Sequence, residues 1–162
     1  MSEARSDAVA VLGSYLGLGV LGAVLWWLLA EPAYFTVSDQ GTLGMGEVQL
    51  ARRFSADGWF VVVAAVLGVL SGGVLTWWRS RDHLLTAGLV LVGAVLASMV
   101  MSFVGGLLGP PDPGVVAATV APGQLVPTEL ELTADVGYLV WPISALAGAL
   151  MVLWSPSSEM RV

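Results

Sequence analysis

Four apolar runs, each long enough to cross a lipid bilayer, constrain this chain more than any other feature. An α-helix rises about 1.5 Å per residue, so roughly 20 residues cross a hydrocarbon core of about 30 Å. None of the runs contains Asp, Glu, Lys, Arg or His. The sequence therefore predicts one all-α membrane domain over residues 1–162, a four-transmembrane-helix bundle with helices near residues 9–30, 59–78, 84–108 and 136–154.

Composition supports the membrane class and excludes several functions. Hydrophobic residues make up 57% of the chain and charged residues 11%, against about 25% charged in soluble domains. A net charge of −6 argues against binding nucleic acid, and the lack of Cys excludes disulfides, thiolate catalysis and iron–sulfur clusters. A single histidine, His83, cannot provide bis-His haem ligation. No common catalytic motif appears, so we predict no catalytic residue, no cofactor and no metal.

The placement of basic residues predicts the orientation in the membrane. With the N-terminus inside, four of the six Arg residues fall on the cytoplasmic side: Arg5, Arg79, Arg81 and Arg161. The remaining two, Arg52 and Arg53, fall outside. The positive-inside rule then favours a multi-pass plasma-membrane protein with both termini in the cytoplasm. The loops at 31–58 and 109–135 are predicted to be exported.

These two loops are too long for simple connectors, and each carries secondary-structure signals. In the first, residues 33–37 are β-prone, residues 38–41 form a turn signal, and residues 46–54 read as a short amphipathic helix. In the second, residues 115–120 and the alternating residues 128–133 read as short strands separated by a Pro-Gly turn. We predict that the loops pack together into one small extracytoplasmic cap.

Small and aromatic residues in the runs predict packing and anchoring. Three GxxxG pairs favour packing within the bundle, with contact between copies in a homo-oligomer as the alternative: Gly13–Gly17, Gly68–Gly72 and Gly105–Gly109. Tryptophans near the run ends are typical of anchors at the headgroup level. Trp26 and Trp27 are predicted to be such anchors, whereas Trp141 lies farther from a run end and is predicted to sit deeper.

Charged side chains able to recognise a partner or ligand lie in the loops. The candidate contact residues are Glu47, Arg52, Arg53, Asp57, Glu129, Glu131 and Asp135. Asp57 and Asp135 each precede an apolar run, where Asp is a good helix N-cap. The alternative is a carboxylate pair that binds a cation or acts as general acid and base. Both follow an Ala and precede a Gly, an aromatic residue and an apolar run, which leaves an internal duplication open.

Several features together resemble a family of uncharacterised actinobacterial membrane proteins that carries a domain-of-unknown-function label. These are a Trp-rich first helix ending in a Pro, Glu47 in the exported stretch, the run Phe54-Ser55-Ala56-Asp57-Gly58-Trp59-Phe60, and the closing Leu107-Leu108-Gly109-Pro110. The resemblance implies a multi-pass plasma-membrane protein of no known activity. It therefore supplies no catalytic residues.

The function predicted from these features is that of a non-enzymatic accessory or scaffold protein of the cell envelope. Its exported cap would bind a partner, and its helices would contact lipid and another membrane or envelope protein. One alternative is a structural subunit of a transport or export complex, with Ser71, Ser98 and Ser102 lining a path. Uncharged spans argue against a coupled transporter acting alone. The other alternative is an outer-leaflet enzyme that uses Asp57, Asp135 and Glu47.

Overall fold

The computed structural model describes residues 2–78 and 83–154, and Arg79, Arg81, Arg161 and the rest of residues 79–82 and 155–162 lie outside the described residues. The helices are α1 Ser2–Leu29, α2 Glu47–Trp78, α3 His83–Leu108, α4 Pro113–Ala117, a 3-10 helix Asp135–Leu139 and α5 Val140–Leu153. The strands are β1 Tyr34–Val37, β2 Leu43–Gly44 and β3 Leu125–Pro127. Four helical segments are long and apolar enough to cross a membrane, as predicted: α1, α2, α3 and the 3-10 helix continued by α5.

The closest helix contact joins α2 to α5, and it depends on glycine. A side-chain Cβ added at Gly72 would overlap the backbone of Ala145, and one added at Gly148 would overlap the backbone of Val69. Gly68 is likewise covered by Ser144 and the Trp141 carbonyl. Backbones approach closely where side chains are absent, which strengthens dispersion contacts where lipid removes the hydrophobic drive. The Gly68–Gly72 pair therefore packs within the bundle, as predicted.

The other two GxxxG pairs have different surroundings. Gly105 lies under the Trp26 ring, and Gly109 lies against Leu130 of the second loop. Gly13 and Gly17 have open space around them, with nothing within 4 Å of an added Cβ. The prediction of packing within the bundle is confirmed for Gly105, whereas Gly109 packs against the second loop instead. It is wrong for the first pair, because that face of α1 points away from the other helices.

The tryptophans divide into buried and exposed groups. Trp26 and Trp141 are fully buried within the protein, so the anchor prediction is wrong for Trp26. The exposed group is Trp27, Trp59, Trp77, Trp78 and Trp154. Trp59 and Trp78 are separated by about 28 Å along α2 at 1.5 Å per residue. That spacing is close to the thickness of a bilayer core.

The two long loops meet in one three-stranded sheet of order β2-β1-β3. Strand β1, from the first loop, pairs antiparallel with β2 and with β3 of the second loop, where Phe35 lies opposite Val126. The predicted turn after β1 is present, and Gly41 takes a φ of +76°, a left-handed conformation that favours glycine. Val37 of β1, Val126 of β3 and Ala33, which precedes β1, are buried. The predicted joint cap therefore forms, and residues 31–58 and 109–135 are called the cap below.

Three local predictions in the cap are wrong. Residues 46–54 are not a separate short helix, because α2 begins at Glu47 and continues without interruption to Trp78. Residues 113–117 form helix α4 rather than a strand at 115–120, because the Asp112 carboxylate accepts a hydrogen bond from Gly114 N and Pro113 occupies the first turn. Residues 128–133 are not a strand, since their apolar side chains pack on helices: Leu130 contacts Gly109 and Leu132 contacts Gly137.

Candidate functional site

The first three turns of α2, residues 47–58, form an extension that precedes Trp59. At 1.5 Å per residue this α2 extension is about 18 Å long. It carries four of the predicted contact residues: Glu47, Arg52, Arg53 and Asp57. Because the extension is continuous with a long packed helix, these side chains are held on a rigid element. Arg52 contacts the start of the first loop, and Arg53 and Asp57 contact the second loop.

Asp57 is an internal tie rather than a helix cap. It lies in the middle of α2, is only 9% exposed, and its Oδ1 accepts a hydrogen bond of 3.1 Å from the backbone N–H of Thr133. The N-cap prediction is therefore wrong for Asp57, because the helix begins ten residues earlier. A carboxylate is a strong acceptor for a backbone N–H that has no strand partner. Asp57 thus fastens the second loop to α2.

Trp26 makes the equivalent tie between α1 and α2. Its indole Nε1 donates a 2.7 Å hydrogen bond to the Ala56 carbonyl, one residue from Asp57. Its ring meets Phe60 edge to face, with centroids 5.0 Å apart. A buried indole N–H requires an acceptor, and the pair of rings adds a directional contact. The end of α1 and the second loop are therefore attached to the same turn of α2.

Two exposed ion pairs lie beside these ties. The Arg52 guanidinium is 3.8 Å from the Glu31 carboxylate, and the Arg53 guanidinium is 3.8 Å from the Glu131 carboxylate. Exposed pairs at this distance stabilise a fold by about 0–1 kcal/mol each. Their main effect is to orient the two Arg side chains. They direct Arg52 towards the end of α1 and Arg53 towards the second loop.

A cavity of about 220 Å³ opens between the end of α1, the α2 extension and the second loop. Three predicted contact residues, Arg53, Glu129 and Glu131, line this cap cavity. Sequence reasoning missed other lining residues, among them Trp27, Glu31, Pro110 and Leu130. The only signal for Trp27 and Glu31 was their position where the first apolar run ends. The cavity combines carboxylates, one guanidinium and apolar walls, which suits an amphipathic or charged contact.

The remaining two predicted residues stand apart. Glu47 is exposed in the first turn of α2, and Asp135 is exposed in the first turn of the 3-10 helix. The N-cap of that helix is Ala134, so the N-cap prediction is wrong for Asp135 as well. The cap cavity is lined by none of Glu47, Asp135 and Asp57. Within residues 2–78 and 83–154, no three His, Asp or Glu side chains are grouped as a metal site would require. The enzymatic alternative thus gains no support from the cap cavity.

The hydroxyls expected to line a transport path form hydrogen bonds within the protein. Ser71 Oγ donates to the Gly68 carbonyl of its own helix at 3.0 Å. Ser98 Oγ donates to the Tyr138 carbonyl at 3.1 Å, and the hydroxyls of Ser102 and Tyr138 are 2.8 Å apart. The bonds of Ser98 and Ser102 join α3 to the 3-10 helix, whereas that of Ser71 stays within α2. All three hydroxyls have protein partners, and the transport alternative gains no support from them.

The two Ala-Asp positions allow a matched test of the Asp57 tie. Asp57→Ala is expected to lower the free energy of unfolding by about 1–3 kcal/mol, because it leaves a partly buried backbone N–H unsatisfied. Asp135→Ala removes an exposed carboxylate and is expected to change stability by no more than about 0.5 kcal/mol. Thermal unfolding in a mild detergent measures both. Equal effects of the two substitutions would contradict the assigned roles.

Comparison with protein-family models, curated proteins and solved structures finds no match to this chain. The fold itself defines the class: a helical protein with four helices long and apolar enough to cross a membrane, which carry a small three-stranded sheet at one end. The resemblance to the actinobacterial family stays a prediction. Any further statement about function has to come from the geometry of the cap.

Proposed function

We propose that this protein is a non-enzymatic accessory or scaffold protein of the cell envelope, whose cap binds another membrane or envelope protein. The observation that carries the proposal is that both long loops fold into one sheet, and that the second loop and the end of α1 are tied to the same turn of α2. A flexible connector needs no such ties. A surface held this firmly loses little conformational entropy when it binds a partner.

The α2 extension offers the most suitable contact surface on the cap. Val48, Leu50 and Phe54 are exposed there, and the Phe54 side chain is 63% exposed. Phe54 lies five residues before Trp59, which places it about 8 Å farther along α2 towards the cap. Exposed aromatic and aliphatic side chains beside charged residues are typical of protein contact surfaces. Arg52 and Glu47 supply the charged margin.

The proposal includes a placement in the cell. The four long helices span the plasma membrane, both termini lie in the cytoplasm and the cap lies outside. The partner is another membrane or envelope protein, and a second copy of this chain is the alternative. The open face of Gly13 and Gly17 on α1 supports that alternative, because small residues let two helices approach closely.

Single cysteines test both the side of the membrane and the partner, since the chain contains no Cys. Phe54→Cys would be treated in intact cells with a membrane-impermeant maleimide that carries a photoreactive group. We expect modification before the cells are permeabilised. Illumination should then give a discrete covalent adduct, because the side chain lies on the proposed contact surface. Mass spectrometry of the adduct would identify the attached chain, including a second copy of this protein.

Gln40→Cys is the matched control, because Gln40 is exposed on the cap in the turn after β1 and lies outside the α2 extension. It should be modified equally well but give no discrete adduct. Modification of both cysteines only after permeabilisation would place the cap inside. Modification of both without a discrete adduct from Phe54→Cys would contradict binding at the α2 extension.

A further inference from the structure

A second concave feature runs down the outside of the bundle from the cap. Two adjoining cavities of about 400 and 390 Å³ share Ser102 and Phe103 of α3. The upper one reaches Asp112, Glu129 and Glu131 at the cap, and the lower one reaches Met99 and Tyr138. Together they are called the lateral groove. Met99, Phe103 and Leu107 are exposed, so the groove opens sideways towards the surroundings of α3 rather than into the bundle.

Negative charge is concentrated at the cap end of the groove. Three carboxylates line that end, and its described lining includes no basic side chain. Asp112 uses one oxygen to cap α4, and Glu131 is paired with Arg53 at 3.8 Å on the cap-cavity side. Glu129 takes part in neither described ion pair. The end of the groove therefore favours a cationic group and disfavours a lone anion.

A pair of hydroxyls lies deeper in the groove. Ser102 is six residues before the end of α3 at Leu108, which corresponds to about 9 Å along the helix. The hydroxyls of Ser102 and Tyr138 form one hydrogen bond of 2.8 Å, which uses one of their two protons. The other proton is available to an acceptor in the groove. Beyond this pair the walls are apolar, formed by Met99 and Phe103.

From the cap inwards the groove presents carboxylates, then hydroxyls, then apolar side chains. An ammonium headgroup, an ester and an acyl chain follow in the same order along a lipid that lies parallel to α3. We propose that the lateral groove binds a bilayer lipid whose headgroup carries an ammonium group. The ammonium would lie at Glu129 and Glu131, an ester carbonyl would accept from the Ser102 and Tyr138 hydroxyls, and an acyl chain would lie along Met99 and Phe103. The inference rests on the membrane placement proposed above and not on the protein partner.

Native mass spectrometry tests the proposal with the full chain in detergent micelles. The protein would be given equal amounts of phosphatidylethanolamine and phosphatidylglycerol with identical acyl chains. We expect about five-fold more of the phosphatidylethanolamine complex, a ratio that corresponds to one modest charge interaction. The double variant E129Q/E131Q should reduce the ratio to about one. Equal binding of the two lipids by the wild-type protein would overturn the proposal.

Matched variants separate the headgroup contact from other effects. The double variant D39N/E47Q removes two exposed cap carboxylates outside the groove and should keep the five-fold preference. Loss of the preference in D39N/E47Q would show a general effect of net charge and overturn the site. Ser102→Ala should weaken binding of both lipids alike. Thermal unfolding of each variant checks that the fold is intact, which is expected because Glu129 and Glu131 are exposed.

A final arm distinguishes a lipid from a soluble amine. Glycerophosphoethanolamine has the same headgroup without acyl chains, so it should not displace the lipid at equal concentration. Displacement would show that the chains contribute nothing and would overturn the assignment to a bilayer lipid. The cysteine adduct from Phe54→Cys depends on a protein partner, so it can fail while lipid selectivity is retained. The two proposals are therefore tested separately.

Discussion

Replacement of Trp26 by Ala is expected to lower the free energy of unfolding by about 3 kcal/mol or more, whereas the same change at Trp27 is expected to cost less than about 1 kcal/mol. Trp26 is fully buried, donates to the Ala56 carbonyl, and packs against Phe60 and Gly105. Its removal leaves a cavity that the surrounding helices cannot fill. Trp27 is 45% exposed, so its side chain loses fewer protein contacts.

Unfolding in mixed micelles of mild detergent and SDS measures both variants under the same conditions. Trp26→Phe is a useful third variant, because it keeps an aromatic ring but removes the N–H donor. We expect it to fall between wild type and Trp26→Ala, since it leaves the Ala56 carbonyl without the indole and keeps part of the packing. If Trp27→Ala were the more destabilising change, the assignment of the buried and exposed rings would be wrong.

Gly72→Ala is expected to destabilise the protein by about 2–3 kcal/mol, although it adds only one methyl group. The added Cβ would overlap the backbone of Ala145, and a backbone atom cannot move aside by changing rotamer. Helix α5 would have to shift as a whole. That shift would also loosen the contact of Gly148 with Val69 in the same interface.

Gly13→Ala is the matched control, because Gly13 also belongs to a GxxxG pair and nothing lies within 4 Å of its added Cβ. Alanine favours a helix over glycine by up to about 1 kcal/mol, so this variant should be as stable as wild type or slightly more stable. The same SDS titration compares the two. A destabilising Gly13→Ala would indicate that the α1 face is in contact with another chain, as in the homo-oligomer alternative.

Parts of the cap were predictable from local sequence, and parts were not. The strand at 33–37 and the turn at 38–41 follow from β-branched and aromatic residues and from a glycine that takes a positive φ. The strand predicted at 128–133 follows the same rule of alternation and is wrong. Its apolar residues, Leu130 and Leu132, face helices instead of a sheet core. Alternation shows that a segment has one apolar side but not what covers that side.

The candidate site shows the same limit. Charge and loop position identified Arg53, Glu129 and Glu131, which line the cap cavity together. Charge and loop position could not predict that Asp57 and Asp135 have different roles, because both occupy the same local pattern of residues. The two differ only because α2 extends past Asp57 to Glu47, which places that carboxylate beside the N–H of Thr133. A contact across 76 positions in the chain leaves no trace in local sequence.

The sequence by itself determined that four segments are long and apolar enough to cross a membrane, because length and composition are local properties. Only the tertiary structure decided which side of each helix meets protein. In a soluble domain the apolar face marks the core, but here both the packed and the outward faces are apolar. Gly72 and Gly13, like Trp26 and Trp27, are therefore equivalent in sequence and differ once the helices have neighbours.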